Sequence, residues 1–458
     1  MTDIRSAARW SLVPGVLLFG TALAFHRPAQ AVPAFAQQTG RNCAACHVGG
    51  YGPQLTPFGR EFKLGGYTLR LHKSVPISVM AVGDYVHTKR AQEEPPTDHS
   101  KRNNNLSFDE GSIFLAGGIG SHLGGFAQVT YSGADRAVAW DNMDLRAVGT
   151  GKIGGKDLVY GLTINNNPTI EDPWNTLPGW GFPFTDSDFA PAPDAAPLIA
   201  GGLGQAAIGA TAYGWLDDKF YLEAGGYSTP SRGTLRFVGV DPNDPGKIHG
   251  LAPYGRAAFQ TTLGEGTFEV GAFALRAALF PGRDRSTGMT DRFTDIGLDT
   301  SWIKPLKSDT FTLNARYTHE RQSLDATCIL GMEDGSIDQG PLSSCANGTL
   351  NELHLDASYY WHNKFGLTVS PFSVTGSRNP FLLPDSRTFR PNSSGVEFQA
   401  DFTPWGKGNS PLGPRFNMRV GAQYTIFTKF NGARVNFDGT GRNASDNDSF
   451  RLFTWIAF

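Results

Sequence analysis

After residue 31 the sequence has no uninterrupted run of about 18 apolar residues, the length that a transmembrane helix needs. Any segment that crosses a membrane must therefore be made of β-strands. Charge is also scarce, because charged residues make up 18% of the chain and the net charge is -2. Soluble globular domains typically have roughly 25% charged residues. The near-neutral balance argues against a nucleic-acid partner, which a basic patch would mark.

Cysteine is equally scarce, with four in 458 residues. Cys43 and Cys46 precede His47 in a C-x-x-C-H motif, the spacing that is typical of c-type haem attachment. The two thiols can add to the haem vinyl groups, and the histidine then becomes an axial ligand of the iron. A thioredoxin-like dithiol would need a βαβ pattern and a zinc site a second pair of ligands nearby, and the sequence shows neither. We therefore predict one covalent haem c here, with a structural disulfide as the alternative.

The cellular compartment indicates the redox state of the other two cysteines, Cys328 and Cys345. Residues 1–31 resemble a secretory signal peptide, with Arg5 and Arg9 before an apolar stretch and a cleavage site ending at Ala31. Export places the chain in an oxidising space, where disulfides persist. We therefore predict a disulfide between Cys328 and Cys345 that closes an exposed loop.

Glycine is abundant, with 56 residues, and apolar residues alternate with polar ones from about residue 75 onwards. A lipid-facing barrel and a soluble sandwich both alternate in this way. Short polar turns, such as 216–219 and 361–364, tend to alternate with long loops, and the alternating segments number about 16. These features predict an all-β fold, an antiparallel outer-membrane β-barrel of about 16 strands with both termini in the periplasm.

The predicted organisation is a signal peptide (1–31), a monohaem cytochrome c segment (32–74) and a porin-like barrel (75–458). A segment of about 40 residues has too small a core to fold alone. We expect the haem to supply that core, with the segment in or at the barrel lumen. The loop 165–198, rich in Pro, Trp and Phe, is expected either to fold over or into the barrel mouth or to be a plain surface loop.

The second axial ligand has two candidates. Met80 lies on the face of the first predicted strand that carries both polar and apolar side chains, so it can point into the lumen. A methionine ligand would raise the reduction potential of the iron. His72 lies in the linker before that strand. Ordinary packing of either residue and a five-coordinate iron are the alternatives. Arg60 and Lys63 are expected either to pair with haem propionates or to be solvated.

The region after the leader resembles a known family, the fused outer-membrane monohaem cytochrome-porins, whose best-known members are iron oxidases. The resemblance rests on these stretches: AVPAFAQQTG (31–40), CAACH (43–47), Pro53, Leu55, GREFK (59–63) and Gly66-Tyr67. Gln37 departs from the arginine of the family motif. Over the remaining chain the resemblance is one of architecture.

The resemblance implies an electron conduit, acting as an Fe(II):cytochrome c oxidoreductase. Extracellular Fe(II) would be the electron donor, a periplasmic c-type cytochrome the acceptor, and outer-membrane lipid the surroundings of the barrel. Cys43, Cys46 and His47 carry over as the residues that attach and ligate the haem. The alternatives are a conduit for a different extracellular donor, a solute-conducting porin with a haem-bearing structural plug, and a soluble periplasmic electron carrier.

Overall fold

The computed structural model describes residues 32–72 and 75–458. The predicted signal peptide (1–31) and the predicted domain boundary at residue 74 lie outside these residues. Among the helices of the described ranges, none combines the length and the apolar character needed to span a membrane.

A single antiparallel sheet accounts for most of the chain from residue 77 onwards. It contains sixteen long strands and one strand of two residues, counted over the described ranges. The strands are β1 Ile77–Thr88, β2 Asn105–Ile119, β3 Leu123–Ser132, β4 Ala137–Ile153, β5 Lys156–Asn165, β6 Ile208–Leu216, β7 Phe220–Ser228, β8 Lys247–Ile248, β9 Ala252–Leu263, β10 Gly266–Phe280, β11 Asp291–Leu306, β12 Asp309–Leu324, β13 Asn347–Trp361, β14 Phe365–Gly376, β15 Ser393–Phe402, β16 Asn417–Lys429 and β17 Ser449–Ala457.

The sheet closes on itself. Strand β1 pairs with β2 on one side and with the last strand, β17, on the other, where Met80 lies opposite Ala457. The two-residue strand β8 lies beside β10, while β7 and β9 pair directly. The fold is therefore a closed barrel of sixteen antiparallel strands, which confirms the predicted fold class.

Side chains alternate between the two faces of the barrel wall. On β12, Asn314 and Arg316 point inward and are 1% exposed, whereas Leu313 and Tyr317 point outward and are 42% exposed. Large apolar side chains are exposed in the same way on most of the other strands. A polar interior inside an apolar exterior is typical of barrels that are surrounded by lipid. The apolar side chains therefore face outward, as in a membrane barrel, whereas a soluble sandwich would turn them inward.

The two ends of the barrel differ. At the end where β1 begins, which we call the short-turn end, most connections are tight, such as 154–155, 217–219 and 307–308. The opposite, long-loop end carries the connections 89–104, 133–136, 166–207, 229–251, 281–290, 325–346, 377–392 and 430–448. One connection at the short-turn end, 403–416, is long, and its Lys407 backbone oxygen accepts a hydrogen bond from Asn42 Nδ2.

Residues 32–72, called the N-terminal segment below, lie in the lumen at the short-turn end. Ala34 N donates to Ser78 Oγ of β1 (2.7 Å), and Gly118 N of β2 donates to Gln38 Oε1 (2.8 Å). From the other side of the barrel, Asn417 Nδ2 of β16 donates to the backbone oxygen of Gly50 (2.8 Å). The helices of this segment are α1 Pro33–Thr39, α2 Cys43–Cys46, the 3-10 turn Val48–Gly50 and α3 Pro57–Leu64.

A second segment, residues 166–207, enters the lumen from the long-loop end and is called the inserted loop below. Thr176 Oγ1 donates to Asp299 Oδ2 of β11 (2.6 Å), and Leu198 N donates to Glu320 Oε2 of β12 (2.6 Å). The loop contains the 3-10 turn Pro178–Trp180 and the π-type turn Leu198–Gly202. The prediction that it folds into the barrel mouth is confirmed, and the surface-loop alternative is wrong.

The remaining helices belong to connections at the long-loop end. A disulfide joins Cys328 to Cys345, whose Cα atoms are 6.0 Å apart, which confirms the predicted pairing. Both cysteines are fully buried in a small apolar cluster with Ile337. The helices are α4 Arg232–Phe237, α5 Asp325–Asp334 and α6 Leu342–Ala346, and 3-10 turns occur at Pro281–Arg283 and Ala444–Asn447.

Candidate functional site

The C-x-x-C-H motif forms a single helical turn. Asn42 caps it, since its Oδ1 accepts a hydrogen bond from Ala45 N (3.1 Å), and His47 N closes the turn by donating to Cys43 O (2.9 Å). Residues three positions apart lie on one face of a helix, so Cys43 and Cys46 are neighbours there. The backbone becomes extended at His47, which forms a β-bridge with Leu55. The motif is therefore held as one rigid unit.

Both thiols and His47 line a cavity whose empty space is about 710 Å³, including its opening. The walls are largely apolar, and apart from the motif and the aromatic rings their polar side chains are those of Asn42, Lys63 and Asn175. The aromatic side chains that line the cavity are Phe35, Phe62, Tyr67, Phe114, Phe126 and Trp180.

These residues fit a covalently held haem. Cys43 and Cys46 are free thiols at the cavity wall. Burial lowers the pKa of His47 to about 4, so its imidazole is neutral near pH 7, the form that ligates iron. Burial also raises the pKa of Cys46 to about 12, with a further contribution from Cys43. Because both thiols are free, the alternative prediction of a disulfide between Cys43 and Cys46 is wrong.

The helix α3 packs directly against the motif. Thr56 caps it by accepting a hydrogen bond from Gly59 N (3.2 Å), and Thr56 N donates to Cys46 O (2.9 Å). A Cβ atom on Gly59 would lie 2.3 Å from Cys46 O, closer than atoms can approach. Glycine at position 59 therefore allows the two helices to meet at the cavity.

Over residues 32–72 and 75–458, no three His, Cys, Asp or Glu side chains form a group that could hold a metal ion.

The two candidates for the second axial ligand lie in different surroundings. Met80 points inward from β1, as predicted, and it belongs to the same buried apolar cluster as Phe62 and Trp180. His72 is exposed at the end of the N-terminal segment, where its ring lies against Gly40. Neither residue is among the described side chains that line the cavity. Iron ligation by Met80 or His72 stays a prediction.

Arg60 and Lys63 are not solvated, so that alternative from the sequence is wrong. Arg60 is 2% exposed, and its Nη2 donates to Ser301 Oγ of β11 (2.9 Å). Lys63 is 3% exposed, and its ammonium group contacts the inserted loop. Both cations therefore connect α3 to other parts of the barrel interior. Of the two, Lys63 lines the cavity.

Four cavity-wall residues from outside the N-terminal segment were not identified from the sequence. Phe114 and Phe126 come from β2 and β3, and Asn175 and Trp180 come from the inserted loop. Asn175 also connects the loop to the N-terminal segment, because its Nδ2 donates to the backbone oxygen of Pro53 (2.7 Å). The aromatic content of the loop was the signal that could have identified Trp180.

No protein-family model matches this sequence, and no curated protein sequence matches it. The fold resembles several solved outer-membrane barrels at low sequence identity. OmpF of Salmonella typhi shares 13% identity, with a TM-score of 0.43, over 83% of this chain and 97% of that chain. The channel DcaP of Acinetobacter baumannii shares 11%, with a TM-score of 0.44, over 84% and 97%. An anion-selective porin from Comamonas acidovorans shares 10%, with a TM-score of 0.43, over 83% and 97%.

Proposed function

We propose that this protein is an electron conduit of the bacterial outer membrane, related to the fused cytochrome-porins. In this proposal Cys43 and Cys46 carry one haem c and His47 ligates its iron. Electrons come from extracellular Fe(II) at the long-loop end and leave to a periplasmic c-type cytochrome at the short-turn end. Both chain termini are then periplasmic.

The observation that carries the proposal is the position of the C-x-x-C-H motif. Its two thiols and its histidine line one cavity inside a barrel, and the N-terminal segment and the inserted loop both contribute to the cavity walls. A bound haem supplies a one-electron Fe(III)/Fe(II) couple at that position. The apolar exterior of the barrel supports a surrounding membrane, and the cavity lies within its lumen.

The chain supplies the surroundings that such a centre needs. Phe114, Phe126 and Trp180 make the cavity apolar, and lower polarity and restricted solvent access tune a redox centre. The hydrogen bond from Asn175 Nδ2 to Pro53 O holds the inserted loop against the N-terminal segment. The carboxylates Glu93, Glu94 and Asp98 of the connection 89–104 offer hard oxygen ligands for arriving Fe(II).

Expression of the full chain with a haem c maturation system tests the proposal. We expect a haem absorption spectrum that survives denaturation and that changes to the reduced form when Fe(II) is added. Replacing Cys43 and Cys46 by alanine should abolish the covalent haem. Replacing Cys328 and Cys345, the other pair, is the matched control and should leave the haem in place. A haem that dithionite reduces and Fe(II) does not would refute Fe(II) as donor.

The barrel fold by itself supports a second function, a solute-conducting porin in which the N-terminal segment is a structural plug. Ion conductance of the full chain in planar lipid bilayers distinguishes the two. Steady porin-like conductance together with a redox-silent haem would establish the second function. An electron conduit with both segments packed in its lumen should conduct ions poorly.

A further inference from the structure

One lysine connects the N-terminal segment, the inserted loop and the cavity. Lys63 Nζ donates to the backbone oxygens of Ile170 and Asp172 (both 2.7 Å) and to Asn175 Oδ1 (2.8 Å). The same nitrogen lies 4.5 Å from the centre of the Trp180 ring. Lys63, Asn175 and Trp180 all line the cavity that holds Cys43 and Cys46.

The number of contacts fits the charged form of the side chain. An ammonium group has three N–H donors and no acceptor, and Lys63 has three oxygen acceptors. A neutral amine has two N–H donors and would leave one of these buried oxygens without its hydrogen bond, which is unfavourable. The aromatic face of Trp180 also attracts a cation. These contacts therefore favour the ammonium ion, whereas its burial acts in the opposite direction.

Other charged groups share this interior. Carboxylates of Asp144, Asp172 and Glu171 act on Lys63 and favour its charged form, whereas the guanidinium of Arg146 opposes it. Arg146 is itself bonded to Asp144 Oδ2, with Nε 2.9 Å away. Lys63 is the one of the two cations that lines the cavity wall.

We propose that Lys63 is a positioning residue of the redox site, which holds the inserted loop against the cavity and raises the reduction potential of the bound centre through its charge. The inference rests on the proposed haem function and deepens it. Reduction removes one unit of positive charge from the iron, so a nearby cation favours the reduced form. A higher potential is what acceptance of electrons from Fe(II) requires.

The test measures the midpoint potential of the haem in full-length Lys63→Met at pH 6. We expect the variant to have a reduction equilibrium constant at least tenfold lower, which is a drop of about 59 mV or more for one electron. Protease cleavage within 166–207 should also become faster. Lys63→Arg keeps the charge, so its midpoint potential should differ from that of the wild-type protein by no more than about a third of that drop. If Lys63→Met fails to fold, Lys63→Gln serves in its place.

Arg60→Met is the matched control. Arg60 lies on the same helix and is as buried as Lys63, but it bonds to Ser301 and Gln260 and does not line the cavity. Its loss should lower stability with little change in potential. An unchanged potential in Lys63→Met, or equal drops in both variants, would overturn the inference. Absence of covalent haem from the wild-type protein would instead refute the proposed function.

Discussion

Arg256 and Asp299 form a two-pronged ion pair inside the barrel. Arg256 Nη1 donates to Asp299 Oδ1 (2.8 Å) and Nη2 donates to Asp299 Oδ2 (2.9 Å), so neighbouring regions of β9 and β11 are joined across β10. Glu269 of β10 and Asp172 of the inserted loop contact the same guanidinium at 3.1 and 3.2 Å. One arginine therefore contacts three buried carboxyl groups and joins the inserted loop to the barrel wall.

We expect Arg256→Met to destabilise the barrel strongly. Removing one member of a buried ion network leaves its partners without compensation, at a cost of about 3–5 kcal/mol. The measurement is the urea midpoint of unfolding in lipid vesicles. Lys219→Met removes an exposed pair with Asp217 and is the control, for which we expect no resolvable shift. Equal shifts in the two variants would contradict the importance of the buried network.

Gly59→Ala should impair formation of the site. The new Cβ would lie 2.3 Å from Cys46 O, so α2 and α3 would have to move apart. Overpacking of this kind costs about 1–3 kcal/mol, which exceeds the roughly 0.5–1 kcal/mol that alanine gains over glycine in a helix. We expect less covalent haem per protein by pyridine haemochrome assay. Gly233→Ala in α4, where nothing lies closer than 3.8 Å, should leave the haem content unchanged.

The disulfide should act locally. Cys328 and Cys345 are separated by 17 positions, and closing a loop of about 15 residues contributes roughly 3 kcal/mol in the chain-entropy description. Replacing both by serine should therefore make residues 325–346 sensitive to protease, as followed by mass spectrometry of the fragments. The haem spectrum should not change, because neither cysteine lines the cavity. A lost haem spectrum would show that this loop supports the site.

The midpoint potential should fall as pH rises through neutrality. Burial, together with a smaller contribution from Arg146, lowers the pKa of Lys63 to about 7, and Asp144, Asp172 and Glu171 act in the opposite direction. Below this pH the charged lysine favours reduction, and above it the charge and its effect are lost. Redox titration at pH 6 and pH 8 measures the change. Lys63→Arg should be flat over this interval, since guanidinium stays protonated; a wild-type potential that is equally flat would contradict the prediction.

Much of the barrel could be predicted from the sequence because its signal is local. Side chains alternate along a strand with a period of two, so Leu313 and Arg316 reveal opposite faces without any knowledge of their neighbours. The C-x-x-C-H motif is local in the same sense, since five consecutive residues specify both its helical turn and its chemistry. The predicted disulfide followed from the small number of cysteines and the expected compartment.

The cavity wall could not be predicted, because its residues meet only in three dimensions. Lys63 and Asn175 are 112 positions apart, and no periodicity relates them. A lysine in a short helix is usually solvated, and the sequence contains no sign that a loop from the other end of the barrel covers this one. The same holds for Phe114 of β2, which meets the N-terminal segment at the cavity although the two are distant in sequence.

The hydrogen bond between Gly50 and Asn417 has a kinetic consequence. It joins residues 367 positions apart, and the bond between Asn42 and Lys407 spans 365. Contacts between residues so distant in sequence form slowly, because the chain entropy of closing the loop is lost before the contact stabilises the structure. The N-terminal segment therefore gains its final packing only when β16 arrives, although it precedes the whole barrel in the chain. Packing of the first described residues should therefore be a late step of folding, together with closure of the barrel by β1 and β17.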